Sequence, residues 1–204
     1  MLGLFFVTFL VGQVVSGRGE YNEERKKQGK PELAYHEYLL SPHFGEATAE
    51  NCESELFHMF IFVLATAFLY QKGSAESKDP RKKHLHKTKR VRPDSPWPVR
   101  RGGWVLCIYE HSLSLALFLC FGLSLLWHMR AGHSLYNEER LADGETAVSL
   151  SQYLGSSRFW FESLQNWQSE FLSIGAMVLL SIWLREANSP ESKDVQTPHW
   201  ENEE

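Results

Sequence analysis

Apolar residues gather into four blocks free of Asp, Glu, Lys and Arg, at residues 1–17, 56–71, 111–129 and 171–184, and the charges crowd between them. That distribution predicts membrane-spanning helices joined by polar segments. A hydrocarbon layer ~30 Å thick takes roughly 20 helical residues. The third block has that length by itself. The second and fourth reach it if their helices begin near Asn51 and Asn166, which brings Glu55 and Glu170 to the outer edge of the hydrocarbon, where a carboxylate still meets water. The expected spans are therefore about 1–17, 51–71, 105–129 and 166–185. A buried hairpin in a soluble bundle is the competing reading, but VLATAFL and IGAMVLLSIWL carry no polar stripe at helical period.

A shift of 115 residues lays the YNEER of residues 21–25 on the YNEER of 136–140. The register then holds without a gap. Gly29 meets Gly144, Tyr38-Leu39 meets Tyr153-Leu154, and Ser41 and Phe44 meet Ser156 and Phe159. Asn51, Ser54 and Glu55 meet Asn166, Ser169 and Glu170, and the SxESKD of 74–79 meets that of 189–194. Several matched clusters in one register point to an internal duplication. The same shift sets Leu2 on Leu117, inside the third block, so the first block reads as a helix; lacking a basic n-region, it is a poor signal peptide. It has no counterpart to residues 109–115, so the native start is expected upstream of Met1.

Each repeat reads as a long helix, a short one and another long one. The first runs on through YNEER, with Glu23 and Lys27 four apart, to a glycine cap at Gly29 or Gly144. Short amphipathic stretches follow at 35–40 and 150–154. Ser41-Pro42 and Ser156-Ser157 then supply a cap and first turn for the second long helix. The resulting organisation is repeat 1 at 1–79, a basic linker at 80–103, repeat 2 at 104–194 and an acidic tail at 195–204.

Composition changes this picture little. The 204 residues carry 21 Lys+Arg against 25 Asp+Glu, a net charge of -4, and exclude collagen-like, disulfide-scaffold and wholly disordered classes. Charge placement matters more. Between Gln71 and Gly103 stand Lys72, Lys78, Arg81, Lys82, Lys83, Lys87, Lys89, Arg90, Arg92, Arg100 and Arg101, over half of all basic residues. The positive-inside rule places this loop, and both termini, in the cytoplasm. The run from Arg81 to Arg92 then lies against anionic lipid heads, a better fit than nucleic acid, because it is membrane-adjacent and lacks interleaved aromatics. Trp97 at the inner surface, and Phe159, Trp160, Phe161 and Trp167 at the outer, read as interfacial belts.

Candidate chemistry is sparse. Asn51 and Glu55, like Asn166 and Glu170, are four apart and share a helical face. The favoured reading has these groups facing water or tying the helix to the YNEER segment through Arg25 and Arg140; the alternative is a cation or proton site. His84-x-His86 lacks acidic or Cys partners, and Glu110-His111 are neighbours that do not share a face, so no metal is expected at either. Cys52, Cys107 and Cys120 have no paired spacing, and no nucleophile elbow, phosphate loop or dinucleotide turn occurs. No cofactor and no catalytic residue is expected.

The segments YNEER, NWQSEFL and SPESKD resemble those of an uncharacterised, domain-of-unknown-function family of bacterial integral membrane proteins. The resemblance covers nearly the whole chain, with Tyr136 to Arg140, Tyr153 to Ser157, Asn166 to Leu172 and Ser189 to Lys193 as its recurring features. It implies a membrane location and no activity. The expectation is an all-α, four-helix transmembrane bundle of two parallel tandem repeats, each with a small extracytoplasmic helical cap. Such a protein would lie in the bacterial inner membrane as a structural or interaction component, with a membrane partner or as a homo-oligomer. The competing reading is a small ion or solute transporter or channel component using Glu55 and Glu170.

Overall fold

The computed structural model describes residues 1–68, 91–189 and 191–199. Among these residues the chain is all-helical. Its helices are α1 (Leu2–Lys27), α2 (Tyr35–Tyr38), α3 (Pro42–Phe68), α4 (Trp97–Arg101), α5 (Gly103–Glu110), α6 (Ser112–Ala142), α7 (Leu150–Leu154) and α8 (Ser157–Trp183). They divide into two compact units. The first is Met1–Ser54 with Phe121–Asn166, and the second is Glu55–Cys120 with Trp167–Glu204. Of the basic loop, Arg81, Lys82, Lys83, Lys87, Lys89 and Arg90 lie outside the described residues, as do His84 and His86. Arg92 is described and exposed, and its amide donates to Ser95 Oγ at 3.0 Å.

In the first unit, α1 and α6 end in the same way. Gly29 and Gly144 take left-handed φ values of 71° and 78°, a conformation that costs glycine nothing. The amides of Lys30 and Glu145 reach back to the carbonyls of Arg25 and Arg140, each at 2.8 Å. Asn22 then clips the returning chain: its Oδ1 accepts from the Leu33 amide at 2.8 Å and its Nδ2 donates to the Leu33 carbonyl at 3.1 Å. Asn137 makes the same two bonds to Val148, at 2.8 and 3.1 Å. The side chain thereby supplies the partners that a backbone leaving a helix would otherwise lack.

The short helices α2 and α7 carry the core tyrosines. Tyr38 and Tyr153 are buried, and each meets a phenylalanine edge-on at 5.6 Å, Phe44 or Phe159. Their hydroxyls press on Gly17 of α1 and Gly132 of α6 so closely that a Cβ there would collide. Ser41 Oγ then caps α3 by accepting from the Phe44 amide at 3.2 Å, and Ser156 Oγ caps α8 through the Phe159 amide at 3.5 Å. Each of these contacts joins positions whose counterparts lie 115 residues along.

Aromatic packing organises the second unit. Phe57 of α3 meets Trp167 and Phe171 of α8 at 4.7 and 5.9 Å, and Phe60 meets Phe118 of α6 at 5.3 Å. Within the expected third span the helix is interrupted at His111 between α5 and α6, where the Ser112 hydroxyl donates to the Tyr109 carbonyl and competes with the helical ladder. The expected outer aromatic belt also divides. Trp160 and Phe161 are exposed, whereas Phe159 is buried on Tyr153 and Trp167 packs on Phe57. Neighbouring helical positions point apart, so one run serves both surface and core.

Among the described residues two helices, α1 and α6, are long and apolar enough to cross a membrane. Both present largely exposed apolar side chains, among them Phe5, Phe6 and Phe9 on α1 and Leu119 and Leu123 on α6. Over the described residues α3 and α8 do not combine that length and hydropathy, and the expected span over 51–71 runs past Phe68, where the described part of α3 ends. Their first halves carry Glu46, Glu50 and Glu53, and Arg158 and Glu162; Glu46 and Glu53 are buried in the first unit, Glu50 and Glu162 are half-buried and Arg158 is exposed.

Candidate functional site

Successive turns of α3 aim Glu46, Glu50 and Glu53 at one side, since positions three and four apart share a helical face. The start of α8 adds Arg158 and Glu162 one turn apart, and α6 adds His128. Glu53 and His128 are both fully buried, and His128 Nδ1 lies 2.6 Å from Glu53 Oε2. The other ring nitrogen faces Glu162 Oε2 at 4.0 Å, beyond hydrogen-bond reach. Arg158 pairs with Glu162 within α8 and with Glu139 of α6 at 3.5 Å. Asn166 closes the cluster by donating to Glu50 Oε1.

This cluster is rich in negative charge for its depth. Burial, reinforced by the charge of Glu162 and partly offset by Arg158, pushes the Glu46 carboxyl up to about 7. Burial also raises Glu50, against the pull of His128. Glu162 moves the other way: burial would raise it, but the facing His128 ring and the Arg158 guanidinium together hold it below the usual carboxylate range. Two carboxyls in one cluster whose environments drive them apart form the arrangement in which one holds a proton while the other holds charge. The Tyr153 hydroxyl, raised by burial and then by Glu162, stays neutral beside them.

Several buried polar atoms here have no hydrogen-bond partner: Glu53 Oε1, His128 Nε2, Glu162 Oε2, Tyr153 OH and Ser163 Oγ. Buried polar atoms are nearly always satisfied, so the unpaired oxygens of Glu53 and Glu162 and the unpaired nitrogen of His128 set this cluster apart from the fully paired clips at Asn22 and Asn137. A Cβ at Gly132 would stand 3.2 Å from Glu46 Oε1 as well as striking the Tyr153 hydroxyl, so the glycine is what lets both groups approach α6.

The residues singled out in the sequence are distributed differently. Arg25 Nε donates to the Pro31 carbonyl and Arg140 Nε to the Thr146 carbonyl, each at 2.9 Å, and Arg140 also pairs with Glu145 at 2.7 Å. These bonds hold each guanidinium to its own loop and do not reach an Asn-x-x-Ser-Glu segment. Asn51 is exposed and donates to Ala47 of its own helix, whereas Asn166 joins the buried cluster. Glu55 and Glu170 do come together, in the second unit, on either side of His58. Glu46, Glu50, Glu53, His128, Arg158, Glu162 and His58 were not singled out. The signal that would have found them is mismatch in the 115-residue register: Glu46 against Phe161, Glu53 against Gln168, Gln13 against His128, Ala47 against Glu162 and His58 against Ser173.

The sequence pattern of a domain of unknown function, DUF6766, matches residues 1–204. The chain belongs to that family. No curated protein and no solved structure matches it, so the DUF6766 assignment brings no activity, and the chemistry must be argued from the buried acids themselves.

Proposed function

We propose that this DUF6766 chain is a multi-pass membrane protein that takes up a proton at the Glu46–Glu162–His128 cluster and serves as a small ion or solute transporter or channel component, without catalysing a reaction. Its spans are taken as 1–17, 51–71, 105–129 and 166–185, in two parallel repeats with both termini in the cytoplasm of a bacterial inner membrane. The apolar exposed faces of α1 and α6 support the membrane location, and the recurrence of the Asn22 and Asn137 clips at the 115-residue offset supports duplication. The observation that carries the transport reading is the burial of Glu46 in one cluster with Glu53, Glu162 and His128, where loss of solvent pushes its carboxyl up to about 7.

The test is a pH-gradient assay on purified protein reconstituted into liposomes with an internal pH dye and an imposed potential. The wild type is expected to dissipate the gradient, with Glu46→Gln at least about ten-fold slower and Glu32→Gln, at an exposed position, unchanged. Wild-type vesicles that behave like protein-free ones would overturn the transport reading. In that case the structural or interaction role stands, favoured by the buried Glu53–His128 pair, which pins α3 to α6 across 75 residues of sequence.

Orientation has its own measurement. A variant keeping only Cys52, which is exposed, is expected to react with a membrane-impermeant maleimide in spheroplasts. Labelling instead of only a His86→Cys variant would invert the proposed topology.

A further inference from the structure

Glu55 and His58 stand three apart on α3, so both side chains leave one face, and Glu170 meets them from α8. His58 Nδ1 lies 3.1 Å from Glu170 Oε2 and 3.7 Å from Glu55 Oε2. One donor atom from each of the three falls within 4.8 Å of the others. Proximity has not produced hydrogen bonding: His58 Nδ1 is a buried atom with no hydrogen-bond partner, although two carboxylates face it. The His58–Glu170 separation fits a third body between them, and the exposed Glu55 carboxylate comes within the same reach by a side-chain rotation. A first-row divalent ion held at roughly 2.0–2.2 Å by each donor sets the donors roughly 3.0–3.6 Å apart.

We propose that Glu55, His58 and Glu170 bind a first-row divalent cation of the Zn²⁺ or Mn²⁺ class. Two carboxylates cancel its charge, and one imidazole selects against Ca²⁺ and Mg²⁺, which take oxygen donors. A Glu-x-x-His pair on one helix with a carboxylate from its neighbour is an arrangement that helical bundles use to hold such ions. Three protein donors leave at least one position open. Glu55 is 60% exposed, so the open side faces solvent, and His58 also lines a cavity of about 300 Å³ with Phe62, Ser173, Met177, Ser181 and Glu191. The site therefore has room for an exchangeable ligand on the ion, the mark of a transport or reactive site rather than a closed structural one. Chelation couples α3 to α8 within the second unit. The inference does not rest on proton uptake at Glu46, because its donors belong to a different unit and its readout involves no flux.

The test uses full-length protein in detergent micelles, stripped with a chelator and titrated with Zn²⁺ by calorimetry and with Co²⁺ by visible absorption. One ion per chain is expected, at micromolar affinity or tighter. His58→Gln and Glu170→Gln are each expected to weaken binding at least about ten-fold. A His84→Ala/His86→Ala variant should keep wild-type affinity. X-ray absorption on the Zn²⁺-loaded wild type guards against variants that fail to fold, and should report one imidazole with oxygen donors and no sulfur. Absence of saturable binding, sulfur in the first shell, or affinity lost with His84 and His86 but kept without His58 would each overturn the site.

Discussion

In the α1–α3 arm, Gln13 donates to Thr48 Oγ1 at 3.3 Å and His43 Nδ1 lies 3.2 Å from the Tyr38 hydroxyl, so both oxygens have partners. In the α6–α8 arm the corresponding residues are His128 with Ser163 and Arg158 with Tyr153. There His128 turns to Glu53 and Arg158 to Glu139 and Glu162, leaving the Ser163 and Tyr153 hydroxyls without hydrogen-bond partners. The clips between helix and loop agree between the arms to 0.1 Å. The arms thus share the contacts that hold a chain in shape and differ where side chains meet in the interior. That contrast locates the chemistry, because a site needs unlike groups to converge, whereas a clip needs only its own loop.

The contrast can be broken most forcefully at the two corresponding interior positions. His128→Ala removes the partner of a fully buried carboxylate and is expected to cost about 3–5 kcal/mol; Gln13→Ala removes one neutral hydrogen bond and should cost about 1 kcal/mol. Denaturant unfolding in mild detergent compares the two. Equal losses would mean that the Glu53–His128 pair is no more than a clip.

A smaller effect follows from pH. Glu46 binds its proton more tightly in the folded chain than in the unfolded one, where it titrates near 4.5. Its contribution to stability is therefore fully present below pH 4.5 and is lost as pH rises through about 7. The groups facing it are Glu50 on α3, His128 on α6, Tyr153 on α7, and Arg158 and Glu162 on α8. Between pH 5 and pH 8 the wild type is expected to lose on the order of 1–3 kcal/mol that Glu46→Gln retains. Parallel unfolding curves for the two proteins across that window would deny that Glu46 carries the proton.

The smallest effect sharpens the other half of the comparison. Asn22→Ala and Asn137→Ala each delete two bonds to a departing backbone, and each should cost about 1–2 kcal/mol. Their losses are expected to agree within about 0.5 kcal/mol. A twofold disparity in thermal unfolding would show that the two clips, alike in geometry, differ in what surrounds them.

Much of the helical plan is legible without coordinates. The glycine ends of α1 and α6, the serine caps of α3 and α8 and the short helix α7 all follow from residues within a few positions of one another. The break at His111 and the burial of Phe159 were not legible, because each depends on how side chains meet rather than on apolar run length. The candidate site was legible in part: Glu55 and Glu170 stand out in the sequence as the alternative cation or proton site, while their placement on either side of His58 is a tertiary feature. The 115-residue register marks what is common to both halves, whereas Glu46, Glu53, His128, Arg158 and Glu162 have no like counterpart in it.

The sequence by itself determined the long helices of each repeat, the short α2 and α7, the caps of α3 and α8 and the apolar faces of α1 and α6. Those features rest on period, turn chemistry and short-range hydrogen bonds, which act over a few residues. Only the tertiary structure decided that His128 meets a carboxylate 75 positions away and that Glu55, His58 and Glu170 converge. Such pairings depend on the rotation of each helix about its own axis: a turn of 100° per residue carries a neighbouring side chain out of the site.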